Sequence, residues 1–421
     1  MPTRSTPGPR RPPRAPSPAA LAVLLVVLAI PLGVSAGRGL NSPVRGADPA
    51  AGRVADPPVS SANGERTRSA VRRLVARGQP FRRVSDRSSG KPSGAPGAAA
   101  LARDKAGTRF AAAGVADLGT GRPIHRNDRF RVGSITKTFL AAVVLQLTAE
   151  HRLGLDDTVE SLLPGLLTGH GDDGRRITVR QLLNHTSGLF SYTDDPAFAR
   201  RLTGAGFTAH RYDTRSPRSL VRIALAHPPT SAPGANWRYS NTNYLVLGMI
   251  VRQVTGRSYA SEATRRILRP LRLTATSFPG TRATLPAPHG RAYSTRTGRP
   301  LDVTDLNPSG AGAAGEVVST LDDLNRFYGA LLRGDLLRPR QLALMRDTAA
   351  THGRYGMGLF PVKLPCGRTV WGHNGDITGS HAQTLGTAGG THLLSYRVNT
   401  DTPAARGRVA ALLAGEFCGR G

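Results

Sequence analysis

Two residues of unlike chemistry, Ser134 and Lys137, open an otherwise apolar stretch, RVGSITKTFLAAVVLQL at 131–147. Three positions apart on a helix, their side chains share one face. Of the 57 Lys and Arg residues only four are lysine: Lys91, Lys105, Lys137 and Lys363. Arginine keeps its proton inside a protein, whereas a desolvated lysine can lose it and serve as a base. Ser134 is therefore a candidate nucleophile and Lys137 a candidate base. At a helix start the Ser134 N–H also points outward, toward where an oxyanion would develop, and the helix dipole helps to hold such a charge.

The pair alone is weak. A serine at a helix start also serves as an N-cap, and Ser88-Ser89-Gly90-Lys91 repeats the spacing in a loop-like stretch before Pro92. Companions decide the matter. Tyr239-Ser240-Asn241 precedes an apolar helical run, and His373-Asn374-Gly375 follows a strand-like run at 369–372. Acylation of a serine needs a nucleophile, a base, a proton relay to the leaving group and a hydrogen-bonder for the substrate amide. Ser134, Lys137, Tyr239 and Asn241 supply those types in order. His373 adds a polar or cationic group at a strand edge, and Gly375 lets backbone approach closely. Gly33 to Gly37 matches the G-x-S-x-G elbow, but no strand precedes it.

These residues need elements to position them. Periodicity predicts a helix at 66–78 and a hairpin of strands at 98–103 and 109–116. Helical patterns dominate the middle, at 134–151, 178–184, 219–226, 243–255, 259–267 and 321–332. Strands return at 355–362, 369–372, 381–385 and 392–398. A last helix at 403–417 starts with Pro403 at its first position. The order predicts an α+β fold, an antiparallel sheet covered by terminal helices with an all-helical lobe inserted. The α/β lobe is expected to hold 66–133 and 346–421, the helical lobe 134–345, with the site in the cleft between them.

S-x-x-K, Y-x-N and H-x-G in this order resemble the serine β-lactamase and penicillin-binding-protein superfamily, in its class C-like branch. GVADLGTGRPI (114–124), ITVRQLLNHTSGL (177–189), VVSTLDDL (317–324) and CGRTVWGHNG (366–375) extend the likeness toward the actinobacterial D-alanyl-D-alanine carboxypeptidases, over roughly 66–420. The resemblance implies the β-lactamase/transpeptidase-like fold and a covalent acyl-enzyme on Ser134. Either Lys137 or Tyr239 is then the acylation base. Asn241, His373, Asn374, Gly375 and Asp376 would bind substrate, the Asp376 backbone supplying the second oxyanion N–H. His185, in Asn184-His185-Thr186-Ser187-Gly188, takes a structural place in this reading rather than a catalytic one.

Three departures from the carboxypeptidase pattern touch carboxylate recognition. Phe360 stands where an arginine is expected, Asp376 replaces a threonine, and Gly310 replaces an aromatic cover. The expected substrates are nonetheless D-alanyl-D-alanine stems of peptidoglycan, with β-lactams as acylating ligands. An esterase, a D-amino-acid amidase and a β-lactamase are rivals of the same chemistry, and a non-catalytic wall-binding protein is the rival of another class. No metal or other cofactor is called for.

A net charge of +30 over 421 residues suggests a polyanion partner. The arginines are scattered, aromatic content is 5%, and no nucleic-acid recognition motif is present, so nucleic acid is set aside. Arginine-rich, lysine-poor composition is also what a GC-rich genome writes, and anionic cell-wall polymers are the remaining candidate partner. Arg4, Arg10, Arg11 and Arg14, an uncharged apolar run at 19–30 and Val34-Ser35-Ala36 read as a Sec-type signal peptide at 1–36, and hence a secreted protein. Residues 37–65 read as a flexible leader. In an oxidising compartment the two cysteines, Cys366 and Cys418, read as one disulfide, with two buried thiols as the alternative.

Overall fold

A computed structural model describes residues 60–75, 94–295, 300–401 and 408–418. The stretch read as a signal peptide, 1–36, and the second S-x-x-K at 88–91 lie outside the described residues.

The centre is a six-stranded antiparallel sheet: β1 (Gly97–Asp104), β2 (Gly107–Gly114), β3 (Phe360–Lys363), β4 (Thr369–Ile377), β5 (Ser380–Thr387) and β6 (Leu393–Val398), in the order β2-β1-β6-β5-β4-β3. Both faces are covered, which explains the alanine run of β1. Successive side chains point to opposite faces. Ala98, Ala100 and Ala102 pack with Val71, Leu74, Leu412 and Phe417. Ala99 and Leu101 pack with Phe139, Leu140 and Phe327. Small side chains on both faces let helices lie close.

The first face carries helix α1 (Ser60–Leu74) and the last described helix, α6 (Val409–Phe417). Between them are α2 (Thr136–Ala149), α3 (Val179–Asn184), α4 (Asn241–Thr255) and α5 (Leu321–Arg333), among shorter turns. Helix α2 is apolar nearly all round and is accordingly buried on every side. Its Phe139 stacks on Phe327 of α5 at 3.8 Å between ring centres.

Three expectations change in detail. Helix α1 begins at Ser60, inside the stretch read as leader. Its apolar turn at Ala70, Val71 and Leu74 anchors it, and a polar first turn then extends a helix already nucleated. The strand expected at 355–362 holds only Phe360–Lys363. Just before it Gly358, at φ +77°, presses so close on α2 that a methyl there would lie 2.5 Å from the Ala141 methyl, which turns the chain away from extended geometry. Helix α5, assigned by chain order to the helical lobe, lies on the sheet: Asn325 donates to the Leu101 carbonyl (2.9 Å) and accepts from Ser395 Oγ (2.8 Å). The final helix is described from Val409, and Pro403 falls outside the described residues.

Polar contacts fasten the two ends of the domain together. Arg109 of β2 lies 2.8 Å from Asp104 and 2.7 Å from Glu416 of α6. Glu416 also meets His392 (2.8 Å) and the Thr67 hydroxyl of α1. Burial works to raise the Glu416 carboxyl, but hydrogen bonds from His392 and Thr67 and the Arg109 charge prevail and hold it below its ordinary range. Cys366, in the β3–β4 turn, is disulfide-bonded to Cys418 just past α6, with 5.6 Å between their Cα atoms.

Candidate active site

Ser134 sits in a short 3₁₀ turn, Gly133–Ile135, that feeds into α2. The regular helix therefore starts two residues later than the sequence pattern predicts. The turn is fixed from within, because Thr136 Oγ1 donates to the Gly133 carbonyl (2.7 Å) and accepts from the Val317 N–H (3.0 Å). Ser134 itself is partly exposed.

One helical turn on, Lys137 is fully buried, and its Nζ meets three oxygens: Ser134 Oγ at 3.0 Å, Asn241 Oδ1 at 2.8 Å and the Ala314 carbonyl at 2.6 Å. Burial pushes its pKa well below the lysine range. A neutral amine has two N–H bonds and one lone pair. It can donate to Asn241 and Ala314, which are pure acceptors here, and turn the lone pair to the Ser134 O–H. That arrangement accommodates the deprotonated form, its lone pair turned to the serine. Asn241 is oriented in turn by a bond from its Nδ2 to Thr193 Oγ1 (2.9 Å).

Tyr239 covers this pair, with the Lys137 amine 4.9 Å from its ring centre. Its ring is partly exposed while its hydroxyl is buried. That hydroxyl faces Ser134 without a well-aligned hydrogen bond in the resting site. Burial drives its pKa upward, opposed by the nearby Ser134 hydroxyl and reinforced by the Asp376 charge. Tyr239 is therefore a neutral phenol, able to give a proton.

His185 grips the Tyr239 segment from behind. Its carbonyl accepts from the Arg238 N–H (3.0 Å), and its Nδ1 accepts from the Ser240 N–H (3.2 Å) and Asn243 Nδ2 (3.1 Å). Its ring lies 4.2 Å from that of Tyr239. It is fully buried, and burial above all presses its pKa well below the ordinary value.

The edge of β4 closes the other side. A methyl placed on Gly375 would lie 1.8 Å from the Val132 carbonyl oxygen and 2.7 Å from the Ser134 nitrogen. One placed on Gly133, at φ +54°, would lie 2.6 Å from the Asp376 nitrogen. Only glycines allow the strand this near the nucleophile, and the contact brings the Ser134 and Asp376 amides side by side. His373 does not present a cation. It is 1% exposed, bonded through Nε2 to the Tyr355 hydroxyl (2.8 Å) and through Nδ1 to the Asn374 carbonyl. Burial above all depresses its pKa to about 3, against smaller opposing effects of Asn374 and Asp376. Phe360 packs its ring on His373, 5.3 Å between centres. Asn374 is half-buried beside it, and Asp376 is exposed.

The structure thus brings Ser134, Lys137, Tyr239, Asn241, His373, Gly375 and Asp376 together, and joins Cys366 to Cys418 elsewhere. It adds Ala314, Thr193, His185 and Tyr355. The Ala314 contribution is a backbone carbonyl, which no residue pattern reveals. His185 was visible as the centre of N-H-T-S-G, but its grip on Tyr239 depends on packing across 55 residues.

A serine against a buried lysine of lowered pKa, a phenol above and paired amides below define a serine hydrolase. The chain belongs to the beta-lactamase family, whose model matches residues 72–415. Among solved structures it is 45% identical to a D-stereospecific amidohydrolase from Streptomyces sp., with TM-score 0.75 over 85% of this chain and 99% of that one. It shares its fold with a D-amino acid amidase from Ochrobactrum anthropi SV3, at 24% identity and TM-score 0.70 over 86% of this chain and 100% of that one. Penicillin-binding protein 4 of Amycolatopsis lactamdurans is 31% identical over 225 residues, 51% of this chain and 54% of that protein. The chain spans about half the length, or less, of the curated relatives it matches.

Proposed function

We propose that this protein is a D-stereoselective serine amidohydrolase. The observation that carries the reading is the state of the cleft: Lys137 and His373 are buried, with burial lowering the pKa of both, and Phe360 packs on His373 at the strand position where a carboxylate partner was expected. A C-terminal carboxylate finds no cation among these groups, which favours amides and esters over the D-alanyl-D-alanine stems that the motifs alone suggest. The Streptomyces neighbour, named for D-stereospecific amide hydrolysis, supports the same choice.

Ser134 Oγ attacks the amide carbonyl and its proton passes to Lys137 Nζ. The carbonyl oxygen gains the electron pair and rests between the Ser134 and Asp376 N–H groups. Collapse of the adduct expels the amine, which takes the Tyr239 proton, and Lys137 returns a proton to the Tyr239 oxygen. Water hydrolyses the resulting serine ester by the same route reversed. Two further proposals accompany this one: secretion, motivated by the signal-like residues 1–36, and adhesion to anionic wall polymers, motivated by the +30 charge.

The test is a panel of D- and L-phenylalanine amides, D-alanyl-D-alanine peptides, p-nitrophenyl esters and nitrocefin, run beside Ser134→Ala. Hydrolysis of the D-amide above all others, abolished in the variant, is expected. Turnover of D-alanyl-D-alanine at higher kcat/KM, or a penicilloyl adduct on intact-mass analysis after benzylpenicillin, would move the assignment to the carboxypeptidase. Turnover surviving in Ser134→Ala would remove the nucleophile assignment.

A further inference from the structure

We propose that the Asp376 side chain is the receptor for a protonated amine on the substrate, so that the preferred substrates are D-aminoacyl amides with a free α-amine. This deepens the amidohydrolase reading and rests on it. Four observations carry it. The Asp376 amide lies against Gly133, beside the Ser134 nitrogen, so the residue is at the oxyanion position itself. Its carboxylate is 38% exposed, in contrast to the buried groups around it. It is held in place rather than loose: His381 Nδ1 donates to Asp376 Oδ1 at 2.8 Å, and His381 Nε2 meets the Tyr396 hydroxyl at 3.0 Å. An aspartate here brings a negative charge to the strand edge. That charge also reaches the cleft, where it acts on both the Tyr239 hydroxyl and the His373 ring.

The covalent geometry matches. In an α-amino amide the ammonium is attached to the carbon next to the carbonyl. In Asp376 the carboxylate is likewise only a few bonds from its own N–H. A residue whose N–H takes the carbonyl oxygen can therefore take the ammonium with its side chain, a two-point grip on one amino-acid unit.

The experiment compares D-phenylalanine amide with N-acetyl-D-phenylalanine amide at pH 7, where the amine is largely protonated, for the wild type, Asp376→Asn and Asp376→Glu. Asparagine keeps an oxygen for His381 and removes only the charge. The wild type is expected to favour the free amine, and Asp376→Asn to reduce that preference by about 10–100-fold, mainly through KM, as loss of a charge-assisted hydrogen bond does. Asp376→Glu is expected to retain most of it. The proposal is overturned if the wild type prefers the acetylated amide, or if Asp376→Asn lowers both activities together and leaves their ratio unchanged. If neither amide is cleaved, the amidohydrolase reading fails separately, and the same free and acetylated pair as p-nitrophenyl esters still decides the role of Asp376.

Discussion

Replacing Lys137 by methionine tests the neutral amine through stability alone. Lys137 is fully buried and burial lowers its pKa. The unfolded chain restores the ordinary value near 10.4. Between the lowered native value and that figure the unfolded state binds a proton that the native state does not, so native stability rises with pH across this window. Below the native value both states are protonated and the dependence vanishes. Within the window the slope is about 1.4 kcal/mol per pH unit. Lys137→Met leaves Asn241 Oδ1 and the Ala314 carbonyl without their donor, which costs about 1–3 kcal/mol each, but those groups do not titrate and the cost is constant. Urea unfolding of both proteins in half-unit steps through neutral and alkaline pH gives the difference directly. It should climb at the stated slope, and the pH at which the climb begins should coincide with the acid limb of kcat/KM on a neutral ester. A difference that stays flat would mean that Lys137 carries its proton in the native protein, and the lone pair assigned to Ser134 would not exist.

Gly375→Ala should reduce kcat/KM by at least about 100-fold, since a methyl 1.8 Å from the Val132 oxygen must push β4 off the nucleophile; steady-state kinetics on an ester would show it, and near-normal turnover would refute the close approach. His185→Ala should destabilise by about 2–4 kcal/mol, because the Ser240 N–H and the Asn243 amide lose their buried acceptor, with kcat falling more than KM rises; urea denaturation and kinetics on the same preparation check both. Breaking the Cys366–Cys418 bond, which spans a separation of 52 residues, should lower stability by up to about 4 kcal/mol. Alkylation without reductant should add no label.

The elements that carry chemistry were readable because their signals are local. S-x-x-K on an apolar helix, a tyrosine motif ahead of another and a glycine after a strand histidine each depend on a few neighbours. What was not legible depends on the fold. His373 looks like a polar strand-edge group until Tyr355 and Phe360 close over it and burial removes its charge. Helix α5 has an amphipathic pattern suited to any neighbour, and only the Asn325 contacts to Leu101 and Ser395 assign it to the sheet. Helix α1 outruns its apolar face, so periodicity placed its start too late. The Lys137 acceptor at Ala314 is main chain, and a side-chain pattern has nothing to say about it.

The pairing of β1 with β6 sets the order in which the molecule can come into being. Ala98 lies opposite Val398, and α1 finds its seat against α6, β1 and β2. Strands from the first third of the chain thus wait for partners made last, and closing so long a loop gains nothing until those partners arrive. The β1–β2 hairpin forms early but has bare edges and little core of its own. A chain emerging from the ribosome therefore remains open until synthesis is almost complete.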